Sequence, residues 1–396
     1  MNYQNITDDQ QLGRYCRELA RSDSIAFDTE FVSEDTYRPV LCLVQVAADG
    51  EPAVIDALAV DDMTPFWEVL AEPGHETIVH AGRSEMEFCL QSIGRLPDNV
   101  FDVQIAAGLA GLEYPIGYGK LLNRLLGQKP QKHETRTDWR RRPLSNRQVQ
   151  YALDDARYLH PLRDALGKKL EELGRREWLD DEMATWQAEI RLAHSHQRWR
   201  RVSGSSGLSR HSLAIVRELW QWREDEARRR DKPVRRVLRD DLIVELAKRR
   251  TADEKQIRAV RGLERGDLRR RLGELAAAIR RALELPEDEC PEAIRRDRSP
   301  QLSVLGQFLF SALGCICRQA ELAPNLVGTP NDIRELVVSR TESDPSDGQS
   351  LPKLARGWRG EFVGRLFDDL LAGRMSIRVE DPTSEHPLVL EEYPGK

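Results

Sequence analysis

The sequence has little with which to build a disulfide framework or a metal clamp of the cysteine type. Its six cysteines, Cys16, Cys42, Cys89, Cys290, Cys315 and Cys317, are scattered through 396 residues without a single C-x-x-C pair. Cys315 and Cys317 are two apart, so on a helix they point in different directions. Free or buried thiols in a reducing, cytoplasmic setting are the expectation. No apolar run reaches the roughly 18 residues a membrane-spanning helix needs. With a mean hydropathy of −0.57, no membrane association is expected. Met1 to Gln11 is polar and acidic, unlike a secretory leader. No GxxxxGK[ST] string occurs, which excludes a nucleotide-driven motor of that type. Leu, Val and Ile recur along the whole length, which excludes disorder.

What is present is size, charge and periodicity. A length of 396 residues calls for two or three domains. The net charge of −6 hides a polarised chain. Between Gly207 and Leu285 there are 22 Lys and Arg against 14 Asp and Glu, so the remainder is strongly acidic. A basic module beside an acidic one suits a polyanion surface next to a carboxylate-rich site. The densest basic cluster is Arg228, Arg229, Arg230, Lys232, Arg235 and Arg236. Such a cluster gives salt-dependent, sequence-independent backbone binding, or simply a solvated helix face.

The first 200 residues alternate strand and helix patterns, which predicts an α/β domain with a mixed sheet. Strands are expected at Ser24–Val32, Val40–Ala48, Ala53–Leu58 and Thr77–His80, with a turn at Asp49-Gly50. Val100–Leu109 begins as strand and turns helical. Helices are expected at Asp8–Ser22, Ser84–Ile93, Gly119–Leu126, Ser145–Leu166 with Ser145 as its cap, and Glu172–Ala193. After the flexible string SGSSG at 203–207 the pattern is helical. A stripe of Leu268, Leu272, Leu275, Ile279 and Leu283 marks one long helix there, and Asp240 is expected to cap another. A second linker, 286–300, precedes further helices at Leu302–Cys317, Ile333–Val338 and Glu361–Leu371, with a polar gap at 341–352. The expected divisions are 1–200, 207–286 and 300–381. No coiled-coil seam is sustained, so a monomer is expected.

Two carboxylates interrupt the first apolar strand, Asp28-Thr-Glu30. In an extended strand they face the same side, a few ångströms apart. Like charges that close repel unless a cation lies between them, and Mg²⁺ or Mn²⁺ prefers such hard oxygen donors. His80-Ala-Gly-Arg-Ser-Glu85 brings a further acid to the start of a helix. Tyr151-Ala-Leu-Asp-Asp155 places a phenol and a carboxylate on one helical face.

This ordered set resembles the DEDDy superfamily of 3′–5′ exonucleases. The strings SIAFDTEF, ETRTDWRRRPLS and QYALDDARYL resemble the ribonuclease D family in particular. The segment 207–285 resembles an HRDC domain, and 300–381, with APNLVGTPNDIREL and GWRGEFVGRL, resembles the second, more divergent helical domain of that family. The resemblance implies a ribonuclease H-like exonuclease domain followed by two all-α HRDC-type domains. It implies two divalent ions, with Asp28 bridging both, Glu30 and Asp155 completing the first, and Glu85 acting on the second through water. It implies hydrolysis of the terminal phosphodiester at RNA 3′ ends, transfer-RNA precursors among them, with Tyr151 positioning the attacking water.

One position departs from the family pattern: Glu85 stands where Asp is usual. Activity is expected to survive, since a group acting through water tolerates an extra methylene. Glu87 is expected to face away. Two alternatives remain open: a DNA 3′–5′ exonuclease, and a catalytically weakened nucleic-acid-binding protein. Phe31 and His80 are expected near the site, with Phe31 either stacking on the terminal base or packing in the core. Arg140, Arg141 and Arg142 are phosphate-contact candidates or solvated loop. Trp139, Trp220 and Trp222 are expected to serve packing.

Overall fold

The structure, a computed structural model, describes residues 2–49, 52–129, 137–193, 198–263, 266–293, 300–341 and 351–393. Gly50 of the expected turn, part of the ETRTD string, residues 294–299 of the second linker and most of the polar gap lie outside the described residues.

Six strands form one mixed sheet: β1 (Gln4–Ile6), β2 (Ser24–Val32), β3 (Val40–Ala47), β4 (Ala53–Ile55), β5 (Glu76–Val79) and β6 (Val100–Asp102), in the order β1-β4-β3-β2-β5-β6. β2 runs antiparallel to β3 and parallel to β5. β2 is therefore central, which explains its burial on both faces. Phe27, Thr29, Val44 and Val46 share one face, and Asp28, Glu30, Leu43 and Gln45 the other, because paired residues in an antiparallel ladder point the same way. β1 is a three-residue edge strand that the sequence pattern does not reveal.

The first face is covered by α1 (Asp9–Leu19), α2 (Thr64–Ala71) and α3 (Arg83–Ile93), where Phe27 meets Phe66 and Trp67 edge-on. α4 (Val103–Leu109) and α5 (Tyr118–Leu126) follow. The other face receives α6 (Asn146–Arg157), started by a capping box in which Ser145 Oγ accepts from Gln148 N and Gln148 Oε1 accepts from Ser145 N. The single helix expected over 145–166 is two, broken at Tyr158: α7 runs Leu159–Glu172, and α8 runs Arg176–Ala193.

The middle of the chain folds around its own core, from Trp199 to Cys290. Its helices are α9 (Arg210–Arg230), α10 (Val234–Val237), α11 (Asp240–Arg249), α12 (Glu254–Arg258), α13 (Gly266–Arg269) and α14 (Leu272–Leu283). Asp240 does not cap α11; its carboxylate is taken by the buried Arg223 at 2.5 Å and by Ser203 N at 3.2 Å.

The last helices are α15 (Pro300–Gln319), α16 (Pro324–Val327), α17 (Pro330–Thr341), α18 (Gly357–Arg359) and, after a π-type turn at Gly360–Gly364, α19 (Arg365–Leu371). Their buried Leu313, Leu326, Leu336, Trp358 and Phe367 belong to the same apolar core as the sheet. This part of the chain closes the sheet domain from the far end of the sequence. Arg175 Nη1 donates to Leu109 O and Glu321 O at 2.7 and 2.8 Å. The buried Arg359 pairs with buried Glu182, and also donates to Leu326 O and Val327 O at 2.7 and 2.8 Å. Trp178 stacks on Trp358 at 5.1 Å. Gly111, with φ +86°, lies so close to Glu321 that a Cβ would sit 2.7 Å from its carbonyl oxygen. A hairpin, β7 (Met375–Val379) and β8 (Leu388–Glu392), ends the described chain and corrects the expectation of helix alone beyond residue 300.

Candidate active site

Period two on β2 puts Asp28 and Glu30 on the face that α6 covers. Period 3.6 on α6 brings Tyr151 and Asp155 to the same place. Carboxylate oxygens of Asp28, Glu30 and Asp155 all lie within 4.8 Å of one another, and a side-chain hydrogen bond joins Tyr151 to Asp155.

Burial, and then mutual repulsion, holds these acids above their usual values. Asp28 is pushed up to about 6 and Asp155 to about 8, chiefly by burial. Glu30 reaches about 9, through burial and then the charges of Asp28, Asp155 and Glu85. Tyr151 is raised for the same reasons and keeps its proton. Three hard oxygen donors that converge and repel one another fit a divalent ion of the magnesium type.

Gln45, directly across the ladder from Asp28 and fully buried, donates from Nε2 to Asp28 Oδ2 at 3.0 Å. Its Oε1 has no hydrogen-bond partner. An apolar-looking strand, LCLVQVAA, gave no signal that this glutamine serves the site.

Glu85 takes a separate position. It is 5% exposed, and its Oε1 accepts from Thr29 Oγ1 at 2.6 Å. It is pushed up to about 8 by burial and by Asp28. Three of the four expected acids thus converge, while Glu85 stands beside them with its carboxylate turned to a hydroxyl. Glu87 faces out and pairs with Arg83 at 3.2 Å. The turn delivering Glu85 is held by Asp102, which the sequence reading passed over. Asp102 accepts from Ala81 N and Gly82 N at 3.1 and 2.9 Å, and from Gln104 N at 2.8 Å as cap of α4. Ala81 has φ 55°, and a Cβ on Gly82 would sit 2.4 Å from Val79 Cγ2, so this turn demands glycine there.

The neighbours are mostly structural. Phe31 packs on Phe88 at 5.5 Å. The His80 Nε2 contacts Ile116 O at 3.0 Å. Buried Trp139 backs Tyr151, ring centres 6.2 Å apart. Tyr118 OH donates to Asp154 O at 2.9 Å, bracing the helix beside Asp155. Arg142 is no phosphate ligand in this arrangement: it grips Asp56 at 2.5 and 2.6 Å and the carbonyls of Trp139 and Cys42.

The family described as 3'-5' exonuclease matches residues 3–171, and the HRDC domain family matches 212–279. The chain is 34% identical over 388 residues to ribonuclease D of Zymomonas mobilis, covering 95% of each. It is 35% identical to ribonuclease D of Granulibacter bethesdensis, over 95% of this chain and 94% of that one. The crystal structure of Escherichia coli RNase D, described as an exoribonuclease involved in structured RNA processing, superposes with a TM-score of 0.82 at 29% identity, over 94% of this chain and 99% of that one. The chain belongs to the ribonuclease D family. It is a 3′–5′ exoribonuclease with a mixed-sheet exonuclease fold followed by a helical HRDC region. No helix among the described residues is long and apolar enough to cross a membrane.

In this ribonuclease D-type chain the basic cluster lies at the C-terminal end of α9 and just beyond. Arg229 and Arg230 pair with buried Glu226 at 2.7 and 3.5 Å, Arg230 also with Asp267 at 2.5 Å, and Arg236 with Asp35 at 3.0 Å. Arg228 approaches Asp225 at 3.9 Å. Much of the cluster's charge is thus locally compensated. Trp220 packs partly buried against the middle core, as does Trp222, which donates to Glu274 at 2.8 Å.

Proposed function

We propose that the chain shortens RNA from its 3′ end, releasing nucleoside 5′-monophosphates, with structured RNAs such as transfer-RNA precursors as substrates. The observation that carries this reading is the convergence of Asp28, Glu30 and Asp155 beside Tyr151 on a half-buried face. The relatives' activity on RNA supports the substrate class.

Asp28, Glu30 and Asp155 would hold a pair of Mg²⁺ or Mn²⁺ ions, with Glu85 acting through water. Bound ions supply Lewis-acid stabilisation of the charge that builds on the attacking and leaving oxygens. Gln45 fixes one oxygen of Asp28 and so holds the carboxylate in place. Tyr151, held protonated, orients the attacking water by hydrogen bonding rather than by ionising. The chain is taken to act as a monomer in the cytoplasm, with the cluster from Arg228 to Arg236 touching RNA phosphates.

The test is degradation of end-labelled single-stranded RNA, DNA of the same sequence and a 3′-extended transfer-RNA precursor, with Mg²⁺, Mn²⁺ or EDTA. Metal-dependent loss of nucleotides from the RNA 3′ ends is expected. Faster loss from DNA would transfer the assignment to the DNA exonuclease class, and binding without cleavage would leave a weakened binding protein.

Two variants probe individual roles. Tyr151→Phe removes one hydrogen bond of about 1–3 kcal/mol, so single-turnover cleavage should slow by about ten- to a hundredfold. Mn²⁺ affinity should stay nearly unchanged, and an equal loss of both would refute the water-positioning role. Glu85→Asp should shift the rate or the Mg²⁺/Mn²⁺ preference by no more than about tenfold, the lower end for residues behind a metal's direct ligands. If the native chain is inert and only that variant cleaves, retained activity with Glu85 is wrong.

A further inference from the structure

The loop following β2 reaches across to α9. Tyr37 N donates to Asp231 Oδ1 and Tyr37 OH to Glu224 Oε2, each at 3.0 Å, and Arg228 lies over the Tyr37 ring at 5.8 Å. These contacts anchor the loop without any help from Asp35. Asp35 stands between two guanidinium groups from separate parts of the molecule. Arg236, from the helical region, approaches its carboxylate at 3.0 Å, and Arg140, from the segment before α6, at 3.9 Å. Asp35 lies five residues beyond Glu30 on the same run of chain, and Arg140 directly follows Trp139, which backs Tyr151. The trio is therefore tied by short stretches of chain to two members of the site, Glu30 and, through Trp139, Tyr151.

We propose that Arg140 and Arg236 form a subsite for one backbone phosphodiester of the RNA, and that Asp35 fills it in the free protein as a built-in stand-in for that phosphate. The inference rests on the RNA reading above. Its energetics are favourable for exchange. All three side chains are at least a third exposed, with Asp35 at 53%. Carboxylate–guanidinium pairs in that setting contribute little to stability, so little holds the carboxylate in place. An RNA phosphodiester likewise offers two accepting oxygens to a guanidinium and adds counterion release. Asp35 thus lowers affinity for any phosphate that does not also engage the rest of the site. Arg140 remains oriented by Asp138 at 2.8 Å when Asp35 departs.

The experiment is binding of a labelled single-stranded oligoribonucleotide to the full chain, by fluorescence anisotropy in EDTA across a salt series. Asp35→Asn, which keeps shape and removes charge, should bind several-fold more tightly than the native chain. The dependence of log affinity on log salt should steepen by about 0.7, the value for one further phosphate contact on a single strand. Arg236→Ala should lose more affinity in the Asp35→Asn background than in the native one, because only there is its charge fully available. Asp35→Ser serves as a second probe, and melting temperatures identify any variant that is misfolded. Unchanged or weaker RNA binding by both folded Asp35 variants would overturn the proposal. The failures are separable: a native chain that shortens RNA in Mn²⁺ while Asp35→Asn binds as before sinks only the subsite. A native chain that neither binds nor shortens RNA sinks the functional reading with it.

Discussion

Asp28→Asn should lower the rate of RNA shortening by about a thousandfold or more. The ions' charge stabilisation is worth several kcal/mol, and about 1.4 kcal/mol corresponds to a factor of ten. The same change should remove at least one bound Mn²⁺ from the titration followed by electron paramagnetic resonance. It should not unfold the protein. Burial already holds the Asp28 carboxyl above its usual value, so a neutral side chain of the same shape relieves repulsion with Glu30, Asp155 and Glu85. The expected signature is a metal-free protein that melts at a higher temperature than the native one while having lost its turnover. Near-native turnover at saturating metal would refute the role given to Asp28.

The second large effect is the pH dependence of metal-induced stability. In the unfolded chain carboxyls ionise near 4. In the folded, metal-free chain Asp28 holds its proton up to about 6, Glu85 and Asp155 to about 8 and Glu30 to about 9. Across that window the folded state binds more protons than the unfolded one, so the stability due to these groups falls as pH rises. Divalent ions replace the protons and reverse the loss. The gap in melting temperature between Mn²⁺ and EDTA should therefore widen steadily from pH 5.5 to 8.5, and shrink in Asp155→Asn. Half-buried His75, His80 and His160 are lowered and act in the opposite sense at the acid end, where unfolding lets them take up protons. Comparing the same protein with and without metal cancels their part. A gap that stays constant over this range would show that the acids do not bind the ions as a cluster.

The site was legible where chemistry repeats at the period of its element. Asp28 and Glu30 two apart on a strand, and Tyr151 and Asp155 four apart on a helix, announce shared faces. Residues whose role depends on what lies across from them were not legible. Gln45 is one polar residue in an apolar strand, and only the register with Asp28 gives it a purpose. Asp102 sits at a strand-to-helix junction where a cap is unremarkable, yet it also closes the Ala81–Gly82 turn. Arg142 looked like its neighbours Arg140 and Arg141, but Asp56, distant in sequence, claims it, while Arg141 stays 85% exposed. The apolar stripes of α15 and α17 announce helices and a buried face, but a stripe does not name its partner. That their partner is the exonuclease core, rather than each other alone, appears only in three dimensions.

That shared core has a consequence for synthesis. Side chains as late as Phe367 complete a core begun at Ile6, while Trp199–Cys290 packs separately in between. During translation the central helices have all their partners as soon as they emerge, whereas the nuclease half must wait, with apolar surface uncovered, until Phe367 has been made. A chain interrupted after residue 293 would carry every acid of the site and no lasting means of keeping that surface from other molecules. Chaperone demand, rather than loss of any catalytic group, would then set the fate of truncated products.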